Sequence, residues 1–344
     1  VSFTVETGSA EICFDNPDLC TAIASEGDVW RFAPNTSGSC SFLRQNYDGG
    51  WVVVGSSLGC AASVRPRTSQ TIISVPFKAR SYRSGTLRFR RAPSSGGIHV
   101  VLEVGVESYM KGLSLVPELW APATIQAQAV TSRSNALWSA ADRGPEESFD
   151  LARREECHCN LYDGSPDQVF RGYTGETSHP NWVEAVTSTT QQVMGFGGSV
   201  AFGLFSSSSG GWTESYGDVF DGIGHPYLQS VDDSSAFSVS AANPHAVWGA
   251  SSDQSVLAEA FGFSWVSDMV VTERNDSGSA RTVAVSGIRS GRPATDMVSA
   301  VDVHSALSLR STTFDVTVTP RFTDVPTVHL FAGEVVGLNA LGIT

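Results

Sequence analysis

The chain has 344 residues, of which 41% are hydrophobic and 17% charged, and its formal net charge is −13. That is the composition of a folded globular protein with room for more than one domain, not of a disordered chain. An acidic chain with no long basic stripe does not fit a nucleic-acid binder, and no apolar run is long enough to span a bilayer.

Residues 1–75 read as a small β module. Val29–Phe32 and Trp51–Val54 have strand character, and turn signals stand at Asn16-Pro17, Ser37-Gly38 and Asp48-Gly49-Gly50. Four cysteines, Cys13, Cys20, Cys40 and Cys60, fall in this loop-rich segment. An even set in such a setting reads as disulfides formed in an oxidising compartment. Nearness in sequence favours Cys13–Cys20 and Cys40–Cys60. The first residue is not Met and no basic-then-apolar leader follows it, so the numbering is expected to begin after processing or at a cut end.

Arg67–Pro76 reads as a linker. Two strands follow, near 82–90 and 98–104, around a turn at Pro93–Gly97. Arg88 and Arg90 alternate as one strand face would, which reads as a solvated face rather than a polyanion site.

The stretch Tyr109–Trp138, YMKGLSLVPELWAPATIQAQAVTSRSNALW, is the most informative. Pro122 suits the first turn of a helix, where its missing N–H would be unpaired anyway. No Gly or Pro then occurs from Ala123 to about Ala140, which predicts a helix there. Ile125, Ala129, Val130, Ala136 and Leu137 mark its buried face, and Gln128 and Arg133 a solvated polar edge. Glu118 and Trp120 precede the helix and form one wall of a candidate cleft.

Ala141–Glu156 is polar and reads as loop. Glu-Cys157-His158-Cys159 follows. A zinc site would want further Cys or His ligands, so a local Cys157–Cys159 disulfide ranks ahead of zinc, with free thiols third. Trp182–Val193 has helical spacing. Ala201–Phe205 reads as an apolar strand entering the Ser206–Gly211 loop, whose backbone N–H groups and hydroxyls suit a polar ligand. Beyond Asn243 a helix is expected at Gln254–Phe261, with strands at Val270–Arg274, Thr282–Val285 and from Phe314. The succession of strands, one long helix and further strands predicts an α+β fold.

Tyr109, Gly112, Val116-Pro117, Trp120, Ala127–Val130, Arg133 and Ala136 resemble the signature of the SpoIID/LytB family (stage II sporulation protein D and amidase enhancer). Pro122 lies one residue later than the family's proline. Cys157-His-Cys-Asn-Leu-Tyr and Asp167-Gln-Val-Phe resemble a second family segment. Some members are similar to zinc proteins there, with Cys where this chain has Asp167. Ser206–Glu214 is similar to the family's S-S-S-G-G-x-T-E loop, and 182–190 to its W-V-x-A-V-x-x-T segment. Gln191 and His304 stand where Gly and Arg are usual. The resemblance covers roughly 77–319. It divides the chain into the β module (1–75), a SpoIID-like core (77–240), a C-terminal part of that region (241–320), and a segment (321–344) that resembles the opening of an S-layer-homology repeat.

The resemblance implies a secreted, cell-wall-associated bacterial protein whose partner is the glycan strand of peptidoglycan, with no cofactor, no metal, no membrane span and self-association at the cell surface as an option. It implies substrate contacts from Tyr109, Trp120, Gln128, Arg133, Ser207, Ser208, Ser209, Gly210, Gly211, Thr213 and Glu214. Characterised members resemble lytic transglycosylases, which need a carboxylic acid to protonate the glycosidic oxygen. The family's acid lies five residues before the Trp, and that position here is Leu115. Glu118 is the nearest substitute, offset by three residues. Three readings stand: a wall-binding relative with weakened or lost activity, an active transglycosylase using Glu118, and a structural or filament-forming surface subunit.

Overall fold

The computed structural model describes residues 1–16, 19–35, 38–220, 224–237 and 243–317. The expected S-layer-homology-like segment, 321–344, lies outside the described residues, as do Pro17 and Ser37 of two expected turns. The chain divides into two compact units, Val1–Phe205 and a second beginning at Ser206. The fold is α+β, as the order of elements predicted.

The first unit opens with β1 (Ser2–Thr7), β2 (Ser9–Phe14), β3 (Cys20–Ser25), β4 (Val29–Pro34), β5 (Cys40–Gln45), β6 (Trp51–Ser57), β7 (Ala61–Pro66), β8 (Ile72–Val75), β9 (Arg80–Tyr82), β10 (Thr86–Arg91) and β11 (Ile98–Glu103). They build a six-stranded sheet, β6-β5-β4-β1-β8-β9, and a five-stranded sheet, β11-β10-β7-β2-β3. The burial follows the period of a strand: Phe3 and Val5, Trp30 and Phe32, and Leu87 and Phe89 turn inward while their neighbours turn out. The two inner faces meet around Phe42, whose ring lies 4.7 Å from Phe32, 6.2 Å from Phe3 and 5.7 Å from Phe89 between centroids. Tilted and edge-to-face pairs of this kind add about 0.5–1.5 kcal/mol each beyond the area they bury.

The stretch read as a linker contains β8, which pairs with β1. Strands β8 to β11 complete both sheets, so the β structure runs on to residue 103. At the outer edge of the six-stranded sheet, β6 exposes Val52, Val53 and Val54. Its register with β5 skips Val54, a bulge between Gly55 and Val53.

All six cysteines are paired, as Cys13–Cys20, Cys40–Cys60 and Cys157–Cys159. These are the pairings that sequence proximity favoured. The first ties β2 to β3, and the second ties β5 to the turn after β6.

Next come α1 (Val106–Lys111), α2 (Pro122–Arg143), α3 (Leu151–Glu156), α4 (Tyr173–Ser178), α5 (Pro180–Ser188) and a hairpin of β12 (Gly195–Phe196) and β13 (Ser199–Val200). The expected helix from Ala123 is α2. It starts on Pro122 and stops where Gly144 takes φ 74°. Ile125, Ala129 and Ala136 are buried as expected. The stretch read as loop holds α3, because the Asp150 side chain accepts from Arg153 N at 2.8 Å and caps it. The helix expected over 182–193 ends at Ser188. Ala201–Phe205, read as a strand, joins no sheet. Ala201 N instead donates to Met194 O at 2.9 Å, and Gly203 O accepts from Asn135 Nδ2 at 2.8 Å.

The second unit contains α6 (Tyr216–Phe220), α7 (Gln254–Phe261), β14 (Trp265–Arg274), β15 (Ala280–Arg289), β16 (Arg292–Ser299) and α8 (Ala300–Ala306). The three strands form one antiparallel sheet, and Val266, Met269, Val283, Val285, Ala300 and Val303 make its core. Phe314–Thr317, read as a strand, forms no regular element.

The double substitution Cys40→Ala/Cys60→Ala opens a crosslink between residues separated by 20. It should cost about 3 kcal/mol of stability, and opening Cys157–Cys159 about half as much, through the smaller loop. Urea midpoints of the two variants test the order.

Candidate functional site

The segment from Tyr109 to Trp120 is held from several sides. Gly112 approaches Phe170 so closely that a Cβ would lie 2.4 Å from its ring, so glycine is required there. Arg171 N donates to Gly112 O at 2.7 Å, and Trp182 Nε1 donates to Met110 O at 2.7 Å. The Tyr109 ring stacks on Phe170 at 5.3 Å, and Phe170 stacks on Tyr82 at 6.3 Å. Ser114 takes φ 45°, a left-handed conformation that a residue with a Cβ adopts at some cost.

Buried polar atoms without a partner concentrate here. Tyr109 Oη, Ser114 Oγ and Glu118 Oε2 are three of the seven such side-chain atoms among the described residues, and all lie within ten residues. Each would cost about 1–3 kcal/mol if left unpaired. Burial, with Asp167 nearby, pushes the Tyr109 pKa up. Leu119 and Trp120 stand at the surface, 94% and 46% exposed.

Leu115 is half-buried and packs against the core of the unit. Glu118 is anchored to a different helix from the one it precedes. Its Oε1 accepts from Asn181 N in the first turn of α5, and its main-chain oxygen accepts from Asn181 Nδ2 at 2.9 Å. A carboxylate suits the positive end of a helix.

Arg133 was expected on a solvated edge as a glycan contact. It is instead 1% exposed, one of the largest fully buried side chains. Its Nε and Nη2 donate to the two oxygens of Glu107 at 3.0 and 2.9 Å. Its remaining N–H groups reach Gln192 O and Val186 O, each at 3.1 Å. A guanidinium whose donors all end on protein acceptors cannot also hold a sugar, so its work is internal. Glu107 further accepts from Gln191 N at 3.1 Å. No local pattern points to Glu107, which is 26 positions from its partner. Gln128 remains half-exposed, with Nε2 donating to Ser132 Oγ at 2.9 Å.

The second candidate cluster belongs to the unit beginning at Ser206. Gly210 and Gly211 take φ 72° and 96°, and a Cβ on Gly210 would lie 2.9 Å from Thr313 Oγ1. Ser209 Oγ donates to Asp233 Oδ2 at 2.7 Å, and Asn243 Nδ2 donates to Ser208 Oγ at 3.0 Å. Thr213 Oγ1 donates to Gln229 O at 3.1 Å, and Glu214 Oε2 accepts from Ser277 Oγ at 2.8 Å. Ser207 is exposed. Tyr109, Leu115, Glu118, Trp120 and Gln128 thus share the first unit, and the Ser/Gly loop residues share the second.

The Cys157–Cys159 turn holds His158 at φ 53°, with His158 Nδ1 3.1 Å from His99 Nδ1. These residues do not fit a zinc ion. Both sulfurs are in the disulfide. Asp167, at the position of the family's further cysteine, is held by Arg143 at 2.7 and 2.8 Å and by Tyr162 N at 2.7 Å.

Residues 94–196 match the family model described as SpoIID, stage II sporulation protein. The match includes α1, α2 and the Cys157–Cys159 turn, and it stops short of the Ser/Gly loop. An uncharacterized protein of Brachyspira hyodysenteriae is 29% identical over 152 residues, which are 43% of this chain and 36% of that relative.

Replacing Glu107 with Gln leaves the buried Arg133 charge without its counterion. It should destabilise the protein by about 3 kcal/mol. Adding Arg133→Met should recover part of that loss, because the orphaned charge is then gone. Chemical denaturation of the single and double variants reads both effects. Burial, and then the His99 ring, lower the His158 pKa from its ordinary 6.5. A histidine held below its unfolded value stabilises fully above that value and loses the contribution as pH falls through it. Amide exchange protection around 157–160 should therefore hold at pH 8 and weaken below about pH 6.5, and His158→Gln should flatten that dependence.

Proposed function

We propose that this protein is an extracytoplasmic bacterial cell-wall protein that binds peptidoglycan glycan strands and has lost, or nearly lost, the ability to cleave them. The observation that carries the reading is the apolar Leu115, packed against the core where the family places its proton donor. Glycosidic cleavage needs a carboxylic acid within hydrogen-bonding distance of the leaving oxygen. The carboxylates nearest in sequence have other duties: Glu107 balances Arg133, and Glu118 accepts from Asn181 at the start of α5. Binding does not need the acid. The exposed Trp120 offers an aromatic face to a sugar ring. The Ser/Gly loop from Ser207 to Glu214 supplies hydroxyls and backbone N–H groups to the same class of ligand. The disulfides support an oxidising, extracytoplasmic setting.

A second reading has one observation of its own. Glu118 Oε2 is buried with no partner, so one oxygen of that carboxyl is uncommitted. In this reading Glu118 protonates the glycosidic oxygen despite its offset. A displacement of about 1 Å can cost roughly a hundredfold in rate.

The experiment uses glycan strands stripped of stem peptides. The unaltered protein should co-sediment with the strands and release no anhydro-muropeptides. Trp120→Ala should weaken co-sedimentation about tenfold, the loss of one aromatic contact. Leu115→Glu, with its fold checked by circular dichroism, should create or raise release. Release by the unaltered protein that Glu118→Gln abolishes would establish the second reading in place of the first.

A further inference from the structure

The outer face of the five-stranded sheet carries an arrangement that the glycan-strand reading does not use. Leu87 and Phe89 of β10 point into the core, so Thr86 and Arg88 stand on the opposite face. The register sets Arg88 opposite Ser63 of β7 and Thr86 opposite Glu103 of β11. An open cavity of about 540 Å³ lies over them, lined by Ser63, Arg65, Thr86, Arg88, Glu103 and the backbone around Gly105. A Cβ on Gly105 would meet nothing within 4 Å, so the wall is open on that side.

The lining chemistry is specific: two guanidiniums, two hydroxyls and one carboxylate. Arg88 donates through Nε to the Glu103 carboxylate, and Arg65 is held by Glu11 at 2.9 Å. The Glu103 side chain is 59% exposed and that of Arg88 25%. An ion pair with one partner so open to water adds little stability. Glu103 can therefore return to solvent at small cost and leave the Arg88 fork to another carboxylate, which it fits in bidentate fashion. Ser63 is itself buried, so Thr86 and the released Glu103 are the groups that meet partners able both to donate and to accept, as sugar hydroxyls do. A bare anion would accept from the guanidinium and a hydroxyl but bring Glu103 no donor, whereas a sugar hydroxyl does.

We propose that this cavity binds an acidic sugar, with Arg88 taking the sugar carboxylate in exchange for Glu103. The site is separate from the Leu115 and Trp120 segment, and its success or failure leaves the reading of that segment untouched.

The test is calorimetric titration of the full chain with glucuronic acid, glucose and inorganic phosphate. Glucuronic acid should bind, and glucose should bind at least about tenfold more weakly, the loss of one charge-assisted bidentate contact. Arg88→Gln should weaken glucuronic acid about tenfold for the same reason. Glu103→Gln should tighten it, because the competing internal carboxylate is gone. The opposite signs separate a binding role from general damage to the sheet. The proposal is overturned by any of three results: Arg88→Gln binds as well as the unaltered protein, Glu103→Gln fails to gain affinity, or phosphate binds as tightly as glucuronic acid.

Discussion

The buried pairing of Arg133 with Glu107 is the constraint on which the candidate site rests. A guanidinium removed from water is tolerable only when its charge and its donors are all answered. Here Glu107 on α1 answers the charge, and the main chain at Val186 and Gln192 answers the rest. One side chain on α2 thereby fixes α1, the end of α5 and the turn that follows it. The segment Tyr109–Trp120 spans the gap between α1 and α2, so its ends are set by that pairing. Its middle is set by Phe170, Trp182 and Asn181. The resulting loop is rigid enough to hold Ser114 in a left-handed conformation and to leave three polar atoms buried without protein partners.

That pinning bears on what can reach position 115. A carboxylate elsewhere in the segment cannot shift toward it without breaking the contacts of Gly112, Trp182 and Asn181 at once. Leu115 also faces the interior of the unit, where its packing gives a reason for an apolar residue independent of any chemistry. The exposed Leu119 and Trp120 keep an apolar and aromatic surface beside it.

Much of the local structure was legible in the sequence because its causes are local. Pro122 and the run without Gly or Pro announced α2, and sequence proximity announced the cysteine pairs. Alternation along 86–91 announced which face of β10 is wet. What the sequence hid depends on distant partners. Arg133 looks like a solvated residue until Glu107 and two main-chain oxygens are brought to it. Arg67–Pro76 looks like a linker until β8 finds β1. Ala201–Phe205 has the apolar content of a strand, but its main chain is claimed by Met194 and Asn135, so it joins no sheet. Glu118 precedes α2 in the sequence, yet it serves the start of α5, a helix placed beside it only by the fold.

The outer edge of the six-stranded sheet has a consequence for how the protein behaves when concentrated. Val52, Val53 and Val54 line an open strand with no lysine or proline to deter a visitor. Rows of unsatisfied main-chain groups beside β-branched side chains recruit other chains. The bulge at Val54 breaks that row in the middle. A visiting strand would lose its register with β6 at that point, so the bulge interrupts the most apolar stretch of this edge.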